Sequence, residues 1–182
     1  MIYFISDTHF HHSNIIKYCN RPFQNVTEMN EILIANWNKV VKKEDEIYHL
    51  GDIALSSKSE FYDIAAKLNG RKYLIKGNHD HWRAGIYEEG GFCVLKSPPI
   101  KLERYNLLLS HTPVPDNQIP EGYINVHGHI HNILLSEWLE QERNNTYSLE
   151  KHINVSCDVI DFTPISIEEL KRFKISRRNG NE

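Results

Sequence analysis

Three times in this chain an apolar run stops at a glycine followed at once by a residue able to hold a cation. The three endings are Leu50-Gly51-Asp52, Lys76-Gly77-Asn78 and His127-Gly128-His129. Glycine lets the backbone turn sharply and come close to an ion. Open α/β sheets gather their sites beyond the carboxyl ends of strands. The runs that precede these endings, Glu46 to Leu50, Tyr73 to Ile75 and Tyr123 to Val126, are short and β-prone and read as strands. Met1 to Ile5, ended by Ser6-Asp7, is a fourth of the same kind.

Helical patterns separate the early strands. Ser13 to Cys19 reads as a helix that closes before Arg21-Pro22, because a residue preceding proline is pushed out of the α region. A second helix opens at Thr27, taken as its N-cap, with Met29, Ile32, Leu33, Trp37 and Val40 at helical spacing. A third runs from Ser59 to Leu68 and stops at Asn69-Gly70. The pattern then turns to strands in succession: Phe92 to Leu95, Ile100 to Leu102, Leu107 to Leu109, Tyr123 to Val126, Ile133 to Leu135 and Ile153 to Ser156. Tyr105-Asn106 reads as a hairpin connection, and Ile167 to Phe173 as a closing helix. Strands alternating with helices, then strands in a row, predict a mixed α/β layered domain, and 182 residues suit one domain.

Composition excludes several classes. With 40% apolar and 25% charged residues and a net charge of −3, the chain has no general basic footprint for nucleic acid. The basic run Lys171 to Arg178 reads as a frayed, solvated tail over about residues 174–182. Cys19, Cys93 and Cys157 are odd in number and form no CxxC pair, which argues against a disulfide framework and fits a reducing cytoplasm. No apolar run approaches the roughly 18 residues of a membrane span. Eleven histidines are the unusual figure, since histidine is the commonest metal ligand.

Asp7 and His9, like His129 and His131, stand two apart, so an extended backbone would put each pair on one face as a chelate needs. Carboxylate, imidazole and amide without thiolate suit borderline divalent metals. Any one of these fragments arises often by chance; together, ordered and each following a strand, they form a joint signal. The five blocks Asp7-Thr8-His9, Gly51-Asp52, Gly77-Asn78-His79-Asp80, Ser110-His111 and Gly128-His129-Ile130-His131 resemble the metallophosphoesterase (calcineurin-like phosphoesterase) superfamily.

That resemblance implies two facing mixed sheets flanked by helices, an αββα sandwich with the metal centre at one edge. It implies that Asp7, His9, Asp52 and His131 hold one divalent ion and that Asp52, Asn78, His111 and His129 hold a second, with Asp52 bridging. Manganese leads among the metals; iron, zinc, nickel and cobalt also suit the set. A metal-bridging hydroxide would attack phosphorus, with His79 as general acid and Asp80 orienting it. His11, His12, Arg21, His81 and Arg83 are candidate substrate contacts, Arg21 as a bidentate phosphate clamp or, alternatively, a partner in a surface salt bridge. His49 and His127 read as packed residues behind the ligands. The expected substrate is a small phosphodiester or nucleotide-like ester, with a nuclease acting on DNA or RNA ends and a catalytically silent scaffold as alternatives. Ile5 to His12 with Asn14-Ile15-Ile16, Arg21-Pro22-Phe23 and Asp158 to Ile165 are together similar to a group of small bacterial and phage-type members of the superfamily.

Overall fold

The computed structural model describes residues 1–135, 137 and 146–172. The chain folds as two sheets. The first contains β1 (Ile2–Ile5), β2 (Glu46–His49), β3 (Arg71–Leu74), β4 (Phe92–Val94) and, last in the chain, a two-residue strand at Ile165–Ser166. Its order is β4-β3-β2-β1 followed by that last strand, which alone runs antiparallel. The second sheet contains β5 (Ile100–Leu102), β6 (Leu107–Leu109), β7 (Ile124–His127) and β8 (His152–Asn154), in that order. Being last, Ile165–Ser166 is β9.

Parallel neighbours need crossover connections, and helices supply them. α1 (Ser13–Tyr18) and α2 (Val26–Val40) join β1 to β2, α3 (Lys58–Ala65) joins β2 to β3, and α4 (Ala84–Glu89) joins β3 to β4. α2 begins two residues earlier than its spacing suggests. The cap is Asn25, whose side chain accepts from Glu28 N–H at 3.0 Å, so Thr27 lies inside the helix. α3 opens on a capping box between Ser57 and Glu60. α4 is short, holds Gly85 and buries only Tyr87, which is why no helical period betrays it. Ile133 to Leu135 is not a strand: Ile133 N–H closes a turn onto the Ile130 carbonyl at 2.9 Å. Residues 167–172 are helical; Phe173, Trp138 and the basic tail lie outside the described residues, as does most of the stretch after Glu137.

Side chains alternate across the first sheet as a strand dictates. Ile5 and Ile47 point to the helices and pack with Phe10, Met29, Leu33, Trp37 and Phe61. Phe4 and Tyr48 point the other way and meet Leu107, Leu109, Val126 and Ile153 of the second sheet. The two sheets therefore face each other across a shared apolar layer. Leu108, between two inward neighbours, packs outward with Val114 and Ile119.

Register brings the strand ends together. Ile5 pairs with His49 and His49 with Leu74, so β1, β2 and β3 release their loops at one edge. Leu109 pairs with Val126, and β6 and β7 are likewise parallel. At this edge a bridge between Ser6 and Ser156 ties the first sheet to the second.

Candidate metal centre

The loops leaving β1, β2, β3, β6 and β7 carry Asp7 and His9, Asp52, Asn78, His111, and His129 and His131 in turn. The structure brings all seven to the common edge. Asp7, His9 and His131 form one group whose donor atoms lie within 4.8 Å of one another, and Asp7, Asp52 and His111 form another. Asn78 Oδ1 lies 2.9 Å from His111 Nε2 and 2.9 Å from His129 Nδ1, with 3.2 Å between those two nitrogens. Asp52 Oδ2 stands between the halves, 3.4 Å from His111 Nε2 and 3.8 Å from His9 Nε2.

The backbone that achieves this is not the extended one that the two-residue spacing suggests. Asp7 (φ 57°), His9 (φ 49°), Asp52 (φ 58°), His129 (φ 71°) and His131 (φ 48°) all occupy the left-handed region. For residues with a Cβ each such conformation costs on the order of 1–3 kcal/mol, tolerated where the surroundings overdetermine it. Each pair converges, but through alternate left-handed residues. Two glycines make the approach possible. A Cβ on Gly77 would collide with the Asp52 carboxylate, and one on Gly128 with the Asp7 carboxylate and the Ser6 side chain.

The donor set fits a cation. Asp7 is fully buried; its Oδ2 accepts from His129 N–H at 2.9 Å and Ser156 Oγ at 2.8 Å, while buried Oδ1 has no hydrogen-bond partner. Both ring nitrogens of His9 are buried without partners, and burial pushes its pKa down to about 2, so the imidazole is neutral. His111 Nδ1 faces the Leu50 carbonyl at 2.8 Å, which turns Nε2 toward the centre. His131 Nδ1 faces Asp158 Oδ2 at 2.8 Å, and its Nε2 lies 4.0 Å from Asp7 Oδ1. Burial disfavours the charged form of His131, yet its hydrogen bonds, Asp158 foremost, carry its pKa up to about 10. Burial also works against ionised Asp52, but His111 and the His79 N–H hold its carboxyl well below the usual range. Orphaned buried donors converging on a shared carboxylate are what a divalent ion resolves.

His79 is exposed and lies beside this set, its ring meeting His9 edge-on at 5.4 Å. Asp80 does something other than orient it. The buried Asp80 carboxylate accepts from the N–H groups of Asp52 (2.7 Å), Ile53 (3.1 Å) and Gly77 (2.8 Å), binding the β2 and β3 loops together. His12 lies 5.4 Å from the His9 ring, with the exposed Tyr18 ring 6.1 Å beyond it. His11 is turned to Glu60, 3.8 Å away. His81 and Arg83 are exposed just past Asp80, with His81 6.3 Å from the His79 ring.

Arg21 is not available as a phosphate clamp. Its side chain is 0% exposed and forks onto Asp158. Asp158, behind His131, is not among the residues that the sequence offers as functional; only its place at the start of the Asp158 to Ile165 stretch marks it. His49 and His127 are fully buried at the ends of β2 and β7, just before the Gly51 and Gly128 loops. His49 accepts from Gly51 N–H at 3.2 Å and pairs with Thr8 Oγ1 at 2.9 Å, tying the β1 and β2 loops. His152 pairs with Asp116 at 3.1 Å, away from the centre.

The fold and this edge define a metallophosphoesterase. The chain belongs to the calcineurin-like phosphoesterase family, whose model matches residues 1–169. That family is metal-dependent and acts on phosphate esters. Among relatives, the uncharacterized protein MJ1445 of Methanocaldococcus jannaschii is 41% identical over 92% of this chain and 87% of its own. The gene 66 protein of Mycobacterium phage L5 is 27% identical over 84% of this chain and 95% of its own. Among solved structures, the protein of unknown function AQ665 from Aquifex aeolicus superposes with a TM-score of 0.69 at 30% identity, over 94% of this chain and 98% of that one. The nuclease MPE of Pseudomonas putida shares the fold at a TM-score of 0.50 and 19% identity, over 71% of this chain and 61% of that one. Among the described residues no helix is long and apolar enough to cross a membrane.

Proposed function

We propose that this protein is a dinuclear metal-dependent phosphodiesterase, a single catalytic domain acting on small or nucleotide-like phosphodiesters. The observation that carries the reading is Asp52 Oδ2, placed between His9 on one side and His111 on the other. One carboxylate serving two sets of donors offsets the repulsion between cations held roughly 3.5–4 Å apart. Asp7, His9, Asp52 and His131 would hold one ion, and Asp52, Asn78, His111 and His129 the other. Manganese is the first choice for both, with iron, zinc, nickel or cobalt as further candidates. Bound there, the ions would polarise the phosphoryl oxygens and activate water for in-line attack.

The chain's own residues do the rest. Exposed His79, beside His9, hands a proton to the leaving oxygen. Asp80 keeps the two loops that carry Asp52 and Asn78 in register. This reading takes a diester in preference to a monoester; Arg21, a candidate phosphate clamp, is engaged by Asp158 and adds no charge for a phosphate dianion. His12, 5.4 Å from the His9 ring and with Tyr18 beyond it, would offer a ring face to a nucleotide-like substrate. His81, 6.3 Å from the His79 ring, and exposed Arg83 would be further contacts for the substrate's outer oxygens. Free cysteines at 19, 93 and 157 support a cytoplasmic setting.

The deciding experiment is turnover of apo-protein reconstituted with manganese, against chelator, on a generic phosphodiester and a phosphomonoester. Chelator-sensitive diester cleavage with little monoesterase is expected. Monoesterase in excess would overturn the substrate preference, and no turnover with any metal would overturn the enzyme reading. Binding of single-stranded DNA or RNA that collapses steeply with salt would instead favour a nuclease.

A further inference from the structure

Two segments have no part in the proposed chemistry: Arg21-Pro22-Phe23 after α1, and the stretch from Asp158 after β8. They dock on one another. Arg21 Nε donates to Asp158 Oδ1 at 2.8 Å and Nη2 to Oδ2 at 3.0 Å, a bidentate pair. Phe23 meets the Phe162 ring edge-on at 4.8 Å, and the guanidinium carbon lies 5.8 Å from the same ring. Both charged side chains are sealed from water, at 0% and 3% exposure.

Each member reaches the candidate centre by a different route. The guanidinium also donates from Nη2 to the Asp7 carbonyl at 2.7 Å and from Nη1 to the Thr8 carbonyl at 3.0 Å. Asp158 Oδ2, shared with Arg21, also holds His131 Nδ1 at 2.8 Å. One buried ion pair thus grips the left-handed backbone at Asp7 from one side and the His131 ring from the other. Burying such a pair carries a large desolvation cost, so well-packed apolar residues would hold the fold as well or better. What apolar residues cannot do is dictate which nitrogen of His131 faces inward. A carboxylate behind a ligand imidazole fixes the tautomer and orientation, and losing one typically weakens metal affinity by about 10–100-fold.

We propose that Arg21 and Asp158 form a buried positioning clamp for the ion held by Asp7, His9 and His131. The pair sets the affinity of that site and leaves the site of Asn78, His111 and His129 unaffected. Neither residue touches substrate. This inference rests on the dinuclear reading.

The test is calorimetric titration of manganese into apo wild type, Asp158→Asn and Arg21→Lys, with the melting temperature of each apo-protein. Two sites are expected in the wild type. Both variants should show one site weakened by about 10–100-fold and the other unchanged. Paramagnetic resonance at one equivalent of manganese should then report isolated ions in the variants. Should the variants fail to fold, nitrogen NMR of the zinc-loaded wild type takes their place, with a proton expected on His131 Nδ1. Unchanged affinities in the variants, equal weakening of both sites, or a bare His131 Nδ1 would each overturn the clamp. A wild type that takes up no ion would overturn the dinuclear reading itself.

Discussion

The main-chain N–H of His79 donates to Asp52 Oδ1 at 2.8 Å, so the proposed proton donor hangs by its backbone from the proposed bridging carboxylate. The imidazole itself is not needed to hold Asp52. Replacing His79 by alanine should therefore leave metal content at the wild-type level while turnover falls roughly 10²–10⁴-fold. Elemental analysis beside steady-state kinetics checks both halves. Full activity in that variant would remove His79 from the mechanism.

Asp80 should behave in the opposite way. Its buried carboxylate accepts three main-chain N–H groups, and charge-assisted bonds of this kind are worth about 1.5–3 kcal/mol each in the folded state. Asp80→Ala leaves those donors unpaired and should lower the denaturation free energy by several times the about 1 kcal/mol of an average point substitution. Urea denaturation of the apo-protein measures it; a variant as stable as wild type would mean that water replaces the carboxylate.

Gly128→Ala tests close packing under the metal ligands. The added methyl would meet Ser6 Cβ at 2.5 Å and crowd the Asp7 carboxylate. Overpacking of this sort costs about 1–3 kcal/mol. The expected outcome is a folded but destabilised protein that binds metal more weakly, since Asp7 must move. Equilibrium dialysis against manganese, with melting curves, would show whether both changes occur together.

His49 supplies a pH dependence. Burial pushes its pKa down from 6.5 to about 3, so the folded chain keeps it neutral where an unfolded chain would protonate it. Between those values the unfolded state binds more protons, and stability must fall as pH drops from 6.5 toward 3. The slope contributed is at most about 1.4 kcal/mol per pH unit. Denaturation of apo wild type and His49→Gln across this window should give a shallower slope for the variant. Parallel slopes would mean that His49 is protonated in the fold.

Much of this was legible because the informative residues sit where strands end. The run-glycine-ligand pattern marks the loops after β2, β3 and β7, and β1 differs only in ending at Ser6-Asp7. Local signals failed where they compete. Thr27 and Asn25 both suit a helix cap, and only the contact with Glu28 separates them. Ile133 to Leu135 has the composition of a strand, yet it follows a left-handed His131 that turns the chain. Two-residue spacing predicts convergence of Asp7 with His9, but the left-handed conformations that produce it leave no mark in residue type. Arg21 and Asp158 were hidden for another reason. Their partnership spans 137 positions of chain, and sequence adjacency says nothing about such a pair. Asp80 misled because its neighbour in sequence, His79, is not its neighbour in hydrogen bonding.

Asp7, His9, Asp52 and Asn78 leave the first sheet, while His111, His129 and His131 leave the second. An ion bound among them would thus be a rivet through two plates that already meet through the apolar layer, the Ser6–Ser156 bridge and bonds such as His129 N–H to Asp7 Oδ2. Occupancy and cohesion would then be one property at this edge: stripping the metal should silence the chemistry and loosen the seam in the same act.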